Sequence, residues 1–398
     1  MTVLRAESRA ASRWRPETRT PSSAGRVGSV DLVRGAVMIL MALDHVRDFV
    51  SSQRFRPEDL SRTTAALFAT RWVTHFCAPA FALLAGVGIG LAIQRRGGST
   101  TGMSRYLVTR GLWLVFLDLT VSGVGFQFGF RLVPAFALVL WALGLSMIVM
   151  AAVVHLPRSV VLAASLVTIA GHNLLDGVRA TGLWNVLHVP GFAVPGVLFV
   201  AYPLIPWVAV MALGYVLADV YGWEPARRRR VLILSGAAAT ALFVVLRLVN
   251  GYGDPAPWSA QRTPALTVVS FLNVGKYPPS LDFLLMTLGP TLVALAVVEG
   301  LRGRMASWIG VYGRVPLFYY VLHIYLAHAV AMALALVQIG RAARIPVAID
   351  PASIPPGYGV SLPGVYLAWA LVVVLAYLPC RWYAGLKARR DDWWLRYT

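Results

Sequence analysis

VDLVRGAVMILMALDH, running from Val30 to His45, is long and apolar enough to enter a bilayer, yet it carries Asp31, Arg34, Asp44 and His45. Charge inside a membrane helix is costly and by default marks a working site. On a helix turning about 100° per residue, Arg34 and His45 fall within about 20° of one face, being eleven positions apart. Asp31, Met38, Met41 and Asp48 lie on the same stripe. At about 1.5 Å per residue, Arg34 and His45 are roughly 16 Å apart along the axis, so one polar face reaches from near one membrane surface past the midplane.

The rest of the chain is of the same kind. With 58% hydrophobic and 13% charged residues and a mean hydropathy of +0.67, it could not cover its apolar surface in water. A formal charge of +19 would suit nucleic acid, but the Lys and Arg fall between apolar runs instead of clustering beside stacking aromatics on soluble segments, so no nucleic-acid partner is expected. Cys77 and Cys380 both sit in apolar runs expected toward opposite membrane faces, which excludes a disulfide framework.

Hydropathy predicts an all-α, polytopic membrane protein of about ten transmembrane helices: Val30–Val50, Trp72–Ile93, Tyr106–Val124, Val133–Val154, Ser159–His172, Val194–Val220, Val231–Leu248, Pro279–Val298, Val311–Ile339 and Leu362–Tyr383. Pro190, Pro195, Pro203 and Pro206 predict a broken or re-entrant start to the sixth. Residues 1–29 read as a disordered basic cytoplasmic tail without a signal-peptide core, 30–384 as the transmembrane domain and 385–398 as a cytoplasmic C-terminal tail. One set of connections and tails holds 21 Lys and Arg and the other face eleven, which with an even span count places both termini in the cytoplasm and the chain in the cytoplasmic (inner) membrane. Arg47, Arg54, Arg56, Arg62 and Arg71 run against this bias.

The pattern DxxRG at Asp31, Arg34 and Gly35, with a His eleven residues after the Arg, resembles the first-helix signature of membrane-bound acyltransferases that O-acylate sugars and surface polysaccharides. The segments LDHVRDF, RWVTHFCAPAFALLAG, YPLIPWVAVMALGY, LRLVNGYGDP, FLNVGKYPPSLDFLLMTLGP and GRVPLFYYVLHIYLAH more closely resemble the bacterial branch of the heparan-α-glucosaminide N-acetyltransferase catalytic family, within the transmembrane acyltransferase superfamily. These blocks run from the first span to the ninth. The resemblance implies transfer of an acyl group, typically acetyl from cytoplasmic acetyl-CoA as co-substrate, to a sugar amine or hydroxyl across the membrane. Eukaryotic heparan enzymes carry Asn at the position of His45, whereas the sugar O-acylating relatives place a His there, and that is the match carried over.

Acyl transfer from a thioester needs a base near the working pH, which an imidazole supplies. His45 is therefore assigned as base, or as a nucleophile carrying the acyl group itself. Asp48, one turn on, is expected to hold its ring in one tautomer. Arg34 cannot lose its proton; it is expected to hold the pantetheine or phosphate end of coenzyme A or to make a structural pair with Asp31, and that pair would also orient it for the ligand, so Asp31 is assigned to the coenzyme with it. His75, at the outer end of the second span, is expected to bind acceptor or share the proton. Tyr319 and His323, one turn apart near the expected midplane, are assigned to the coenzyme path. Asn273, Lys276 and Asp282 frame Pro278 and Pro279 and are assigned to the acceptor, Lys276 neutralising an oxyanion or an acidic sugar. No helical zinc spacing, HExxH or Cys cluster occurs, so no metal is expected. The Arg227–Arg230 run reads as topogenic, and Gly86, Gly88 and Gly90 as close-packing positions.

The expected partners are acyl-CoA, a carbohydrate-like acceptor and membrane lipid, and a homo-oligomer is compatible with this reading. A transporter or flippase is the main alternative, but the chain lacks the repeated halves such proteins usually show. A scaffold without chemistry would not explain the charged stripe.

Overall fold

The stripe lies on one continuous helix, α1 (Gly28–Val50), whose Val33, Val37, Met38, Ala42 and Val46 are buried. The computed structural model describes residues 28–127, 133–340 and 355–397. The expected tail up to residue 27 lies outside them, and its last two positions, Gly28 and Ser29, belong to α1.

The second predicted span is two helices, α2 (Ala65–Thr74) and α3 (Cys77–Gln94), parted at His75 and Phe76. The Thr64 hydroxyl caps α2 by accepting from Leu67 N–H. The third, α4 (Met103–Leu117), passes through a π turn at Asp118–Ser122 into α5 (Gly123–Gln127). There follow strand β1 (Ala135–Ala137), α6 (Val139–Val153) and α7 (Arg158–Gly171), which ends in a 3₁₀ turn, His172–Leu175.

Prolines shape the middle of the chain. The sixth predicted span begins as α8 (Leu183–Leu187), β2 (Gly191–Val194) and β3 (Leu198–Val200), and turns helical only after Pro206, as α9 (Trp207–Leu217). The three strands form one small sheet in the order β1-β3-β2, with β1 parallel and β2 antiparallel to β3. Next come α10 (Pro225–Val249), α11 (Pro264–Leu272) and α12 (Leu281–Val297). The ninth predicted span starts late: α13 (Arg304–Arg314) ends at Val315, and Pro316 at the first turn of α14 (Pro316–Ile339) redirects the chain. The last helix, α15 (Leu362–Arg389), runs beyond the expected start of the C-terminal tail. Past it, Leu395 is buried and the Tyr397 hydroxyl lies 3.0 Å from that of Thr109.

Every predicted span overlaps a helix, and among the described residues six helical segments are long and apolar enough to cross a membrane. Three more, Val139–Val153, Trp207–Gly222 and Leu281–Val297, are apolar but shorter. α1 has the length at 23 residues but carries Asp31, Arg34, Asp44, Arg47 and Asp48. The outer faces fit a lipid environment: Val337 on α14 and Leu367 on α15 are 84% and 74% exposed.

α1 is the hub, with α3, α13, α14 and α15 packed on it. Where it crosses α13 the backbones meet: a Cβ on Gly35 would lie 2.2 Å from Ile309 O, and one on Gly313 would lie 1.9 Å from Asp31 O. Only glycine allows this approach, which gives Gly35 of the DxxRG pattern its physical reason. Of the triplet on α3, Gly86 and Gly90 press on α9 and the turn after it, as expected, but Gly88 has nothing within 4 Å. Both cysteines are buried and unbonded to each other.

Candidate active site

Two cavities flank the middle of α1. The distal one, at the end where α1 finishes, has a volume of about 550 Å³ and is lined by Asp44, His45, Arg47, Asp48, Arg71 and Tyr277 among others. The proximal one, at the end where α1 begins, has about 810 Å³. Val139 and Tyr320 belong to both walls, so these two side chains part the cavities.

His45 stands beside that partition, its ring edge-on to Tyr320 at 6.3 Å and to Phe126 at 5.1 Å. Its Nδ1 lies 2.7 Å from Nε2 of His323 on α14, and His323 Nδ1 lies 2.9 Å from the Tyr319 carbonyl oxygen. A carbonyl can only accept, so His323 carries its proton on Nδ1 and, when neutral, offers Nε2 as acceptor. His45 must then donate from Nδ1, which leaves its Nε2 lone pair unprotonated. This tautomer is assigned from the hydrogen-bond chain. The arrangement repeats the logic of a base held by an orienting partner, with a second imidazole and a backbone carbonyl in place of a carboxylate.

Asp48 does not play the part expected of it. Its Oδ1 accepts from Arg47 Nη2 at 2.6 Å, and the His45 nitrogen it was to hold is taken by His323. The reason is that the neighbouring Arg47 guanidinium takes the Asp48 carboxylate, while α14 brings His323 to the Nδ1 of His45. Tyr319 and His323 are likewise not in the wall of the proximal cavity. Tyr319 is fully buried and stacked on His323 at 5.1 Å, and it serves through its carbonyl.

A buried charge network backs the distal cavity. Asp44 accepts from Arg71 Nη1 at 2.5 Å and pairs with Arg47 Nη2 at 2.8 Å. Arg71 Nε also donates to Glu58 at 2.6 Å. Burial alone would raise the Glu58 carboxyl, but the Arg71 charge and hydrogen bond bring it down to about 2. Arg47 and Arg71, which run against the expected charge bias, thus neutralise acids within the bundle. That violation, beside an intramembrane Asp, is the sequence signal that could have found Asp44, Arg47, Glu58 and Arg71. Tyr277 on the same wall has its hydroxyl 3.3 Å from that of Tyr202. Burial opposes its ionisation, yet Lys276 and Arg71 outweigh burial and hold it below the ordinary phenol value.

Arg34 lines the proximal cavity and also bonds to Asp31 at 3.2 Å, to Gly313 O at 3.3 Å and to Leu84 O at 3.5 Å. The structural pair with Asp31 is therefore present, in a side chain that also lines a cavity. Arg95, Arg96, Arg110, Arg314 and Lys387 join it in the wall, against Asp391 as the acid among the described lining residues.

The remaining predicted residues lie elsewhere. His75 is 1% exposed, packs on Phe283 at 5.4 Å and lines neither cavity, so it is a buried residue and not a solvated one. Asp282 is 4.0 Å from the buried Arg247, and the Asn273 carbonyl accepts from that same guanidinium at 3.0 Å. Both brace Arg247, and the Asn273 amide reaches back to Glu58 O at 3.0 Å. Lys276 is buried behind the wall, its ammonium 5.2 Å from the Tyr277 ring centroid.

A family model described as heparan-alpha-glucosaminide N-acetyltransferase, catalytic, matches residues 26–248. The match takes in Arg34, His45 and Arg71 but ends before α14 and His323. No curated protein matches the chain.

Proposed function

The chain belongs to the heparan-alpha-glucosaminide N-acetyltransferase catalytic family, and from that premise we propose that it moves an acetyl group from cytoplasmic acetyl-CoA to a carbohydrate hydroxyl or amine on the far side of the membrane. What supports this most is the relay from the Tyr319 carbonyl through His323 to His45, set beside the side chains that part the two cavities.

In this reading the helices make ten crossings of the cytoplasmic membrane, with both termini and the proximal cavity on the cytoplasmic side. Its basic wall receives the phosphates of coenzyme A, with Arg34 held in place by Asp31 and the Gly313 carbonyl. The pantetheine arm passes between Val139 and Tyr320 and presents the thioester to the distal cavity. His45 Nε2 takes the proton of the acceptor hydroxyl or amine as its O or N attacks the thioester carbon. The C–S bond then breaks, the thiolate leaves with coenzyme A, and the proton passes from the imidazolium to bulk water or to the thiolate. His323 steadies the imidazolium as it forms.

Proteoliposomes of uniform orientation test this reading. Labelled acetyl-CoA supplied on the proximal side, with an amino sugar or polysaccharide on the distal side, should yield distal product. Product appearing only when donor and acceptor share a side would contradict it.

A further inference from the structure

We propose that His172, Asp176 and His188 form a binding site for a divalent transition metal, of the class that Zn²⁺ represents. One ligand atom from each of the three residues lies within 4.8 Å of the other two. His172 stands at the first position of the 3₁₀ turn that ends α7, Asp176 directly follows that turn, and His188 directly follows α8. Their spacing matches no helical zinc pair because the ligands are shared between a helix terminus and a loop.

The side chains ask for a partner that the described residues do not supply. His172 is 2% exposed and His188 is fully buried. Neither ring nitrogen of His172, nor Nδ1 of His188, has a hydrogen-bond partner among the described residues. Leaving buried polar atoms unpaired is unfavourable, and a cation held by His188 Nε2 and Asp176 would take up one of the two orphaned His172 nitrogens. His188 Nε2 lies 3.0 Å from Asp176 Oδ1, close to the roughly 3.3 Å edge of a tetrahedron built on zinc bonds of about 2.05 Å.

The surrounding shell has the form such sites need. Asn173 Nδ2 donates to Asp176 Oδ2 at 2.8 Å, which turns the other carboxylate oxygen toward the histidines. The Asn173 side-chain oxygen in turn accepts from Leu281 N–H at the start of α12. Two imidazoles and one carboxylate suit Zn²⁺ and its neighbours, whereas Ca²⁺ and Mg²⁺ want more oxygen ligands. Asp176 is only half-buried, which leaves a side from which water completes the coordination.

The ion is structural in this proposal. It clamps the end of α7 to α8, whose Val186 and Leu187 carbonyls accept from Leu204 and Ile205 N–H. Pro190, two residues beyond His188, lines the distal cavity, so the clamp braces that wall.

The test uses full-length protein in detergent, stripped with a chelator and freed of any affinity tag. Equilibrium dialysis with Zn²⁺ should give one ion per chain, and Co²⁺ should give the intense visible absorption of a four-coordinate site. His172→Gln, His188→Gln and Asp176→Asn should each weaken Zn²⁺ binding by about 100-fold or more. Wild-type protein should melt higher with Zn²⁺ than with chelator, and the variants should not respond. Asp176→Asn, the mildest change, serves as the folding control and should melt like chelated wild type. No bound ion and no cobalt spectrum in wild type, or binding retained in the triple variant, would overturn the site.

Discussion

The Nδ1 of His45 on α1 lies 2.7 Å from the Nε2 of His323 on α14, joining two imidazoles that are 278 residues apart in the chain. Because His323 is anchored by the Tyr319 carbonyl, the pair has a direction, and its unprotonated end is His45 Nε2. His323→Ala should lower kcat by about 10²- to 10⁴-fold with little change in KM. Asp48→Asn, which touches Arg47 and not the ring, should stay within about threefold of wild type. Initial rates over a range of acetyl-CoA and acceptor concentrations separate the two, and equal loss in both variants would contradict the relay.

The basic wall of the proximal cavity makes a second prediction. Arg96→Ala should raise KM for acetyl-CoA by about tenfold while leaving the acceptor KM unchanged, since a phosphate contact acts alike in ground and transition states. Two-substrate kinetics report this directly. A change confined to the acceptor KM would place the donor elsewhere.

Arg71 ties the buried Asp44 to the part-buried Glu58, and removing it leaves both carboxylates short of a counter-charge. Arg71→Ala should therefore destabilise the protein by about 3 kcal/mol or more. Unfolding in mixed micelles, followed by tryptophan fluorescence, measures it.

Glu58 adds a pH dependence of known sign. Its folded value of about 2 lies below that of an unfolded carboxylate, so it stabilises the fold above the unfolded value and loses that contribution as pH falls toward 2. Melting curves between pH 5 and pH 2 should show Glu58→Gln already destabilised at pH 5 and converging on wild type as pH falls. A gap that widens toward acid would have the wrong sign.

Packing at the α1–α13 crossing predicts a contrast between two glycines. A methyl on Gly35 meets the Ile309 backbone, so Gly35→Ala should cost about 1–3 kcal/mol, whereas Gly88→Ala enters open space in the proximal cavity and should be tolerated. Comparing the yield and melting temperature of the two variants tests this.

The helical segments were legible because membrane spans advertise themselves by continuous apolar runs, and the Arg34 to His45 stripe because intramembrane charge has few structural excuses. The proline-broken entry to α9 was also legible. What periodicity could not show was which helix faces which. His323 was visible as a polar residue near midplane, but its meeting with His45 depends on the packing of α14 against α1. For the same reason Asn273 and Asp282, prominent beside two prolines, turned out to brace Arg247, and His75 to be buried. Arg47 and Arg71 looked like exceptions to a topology rule until their carboxylates were seen beside them.

The central claim is that His45 Nε2 is the base for acyl transfer, and its most direct test is turnover of labelled acetyl-CoA by His45→Ala in membranes where its level and melting temperature match wild type. Transfer to acceptor should be abolished, and wild type incubated with donor alone should gather no stable label on His45. Undiminished turnover by His45→Ala would contradict the account.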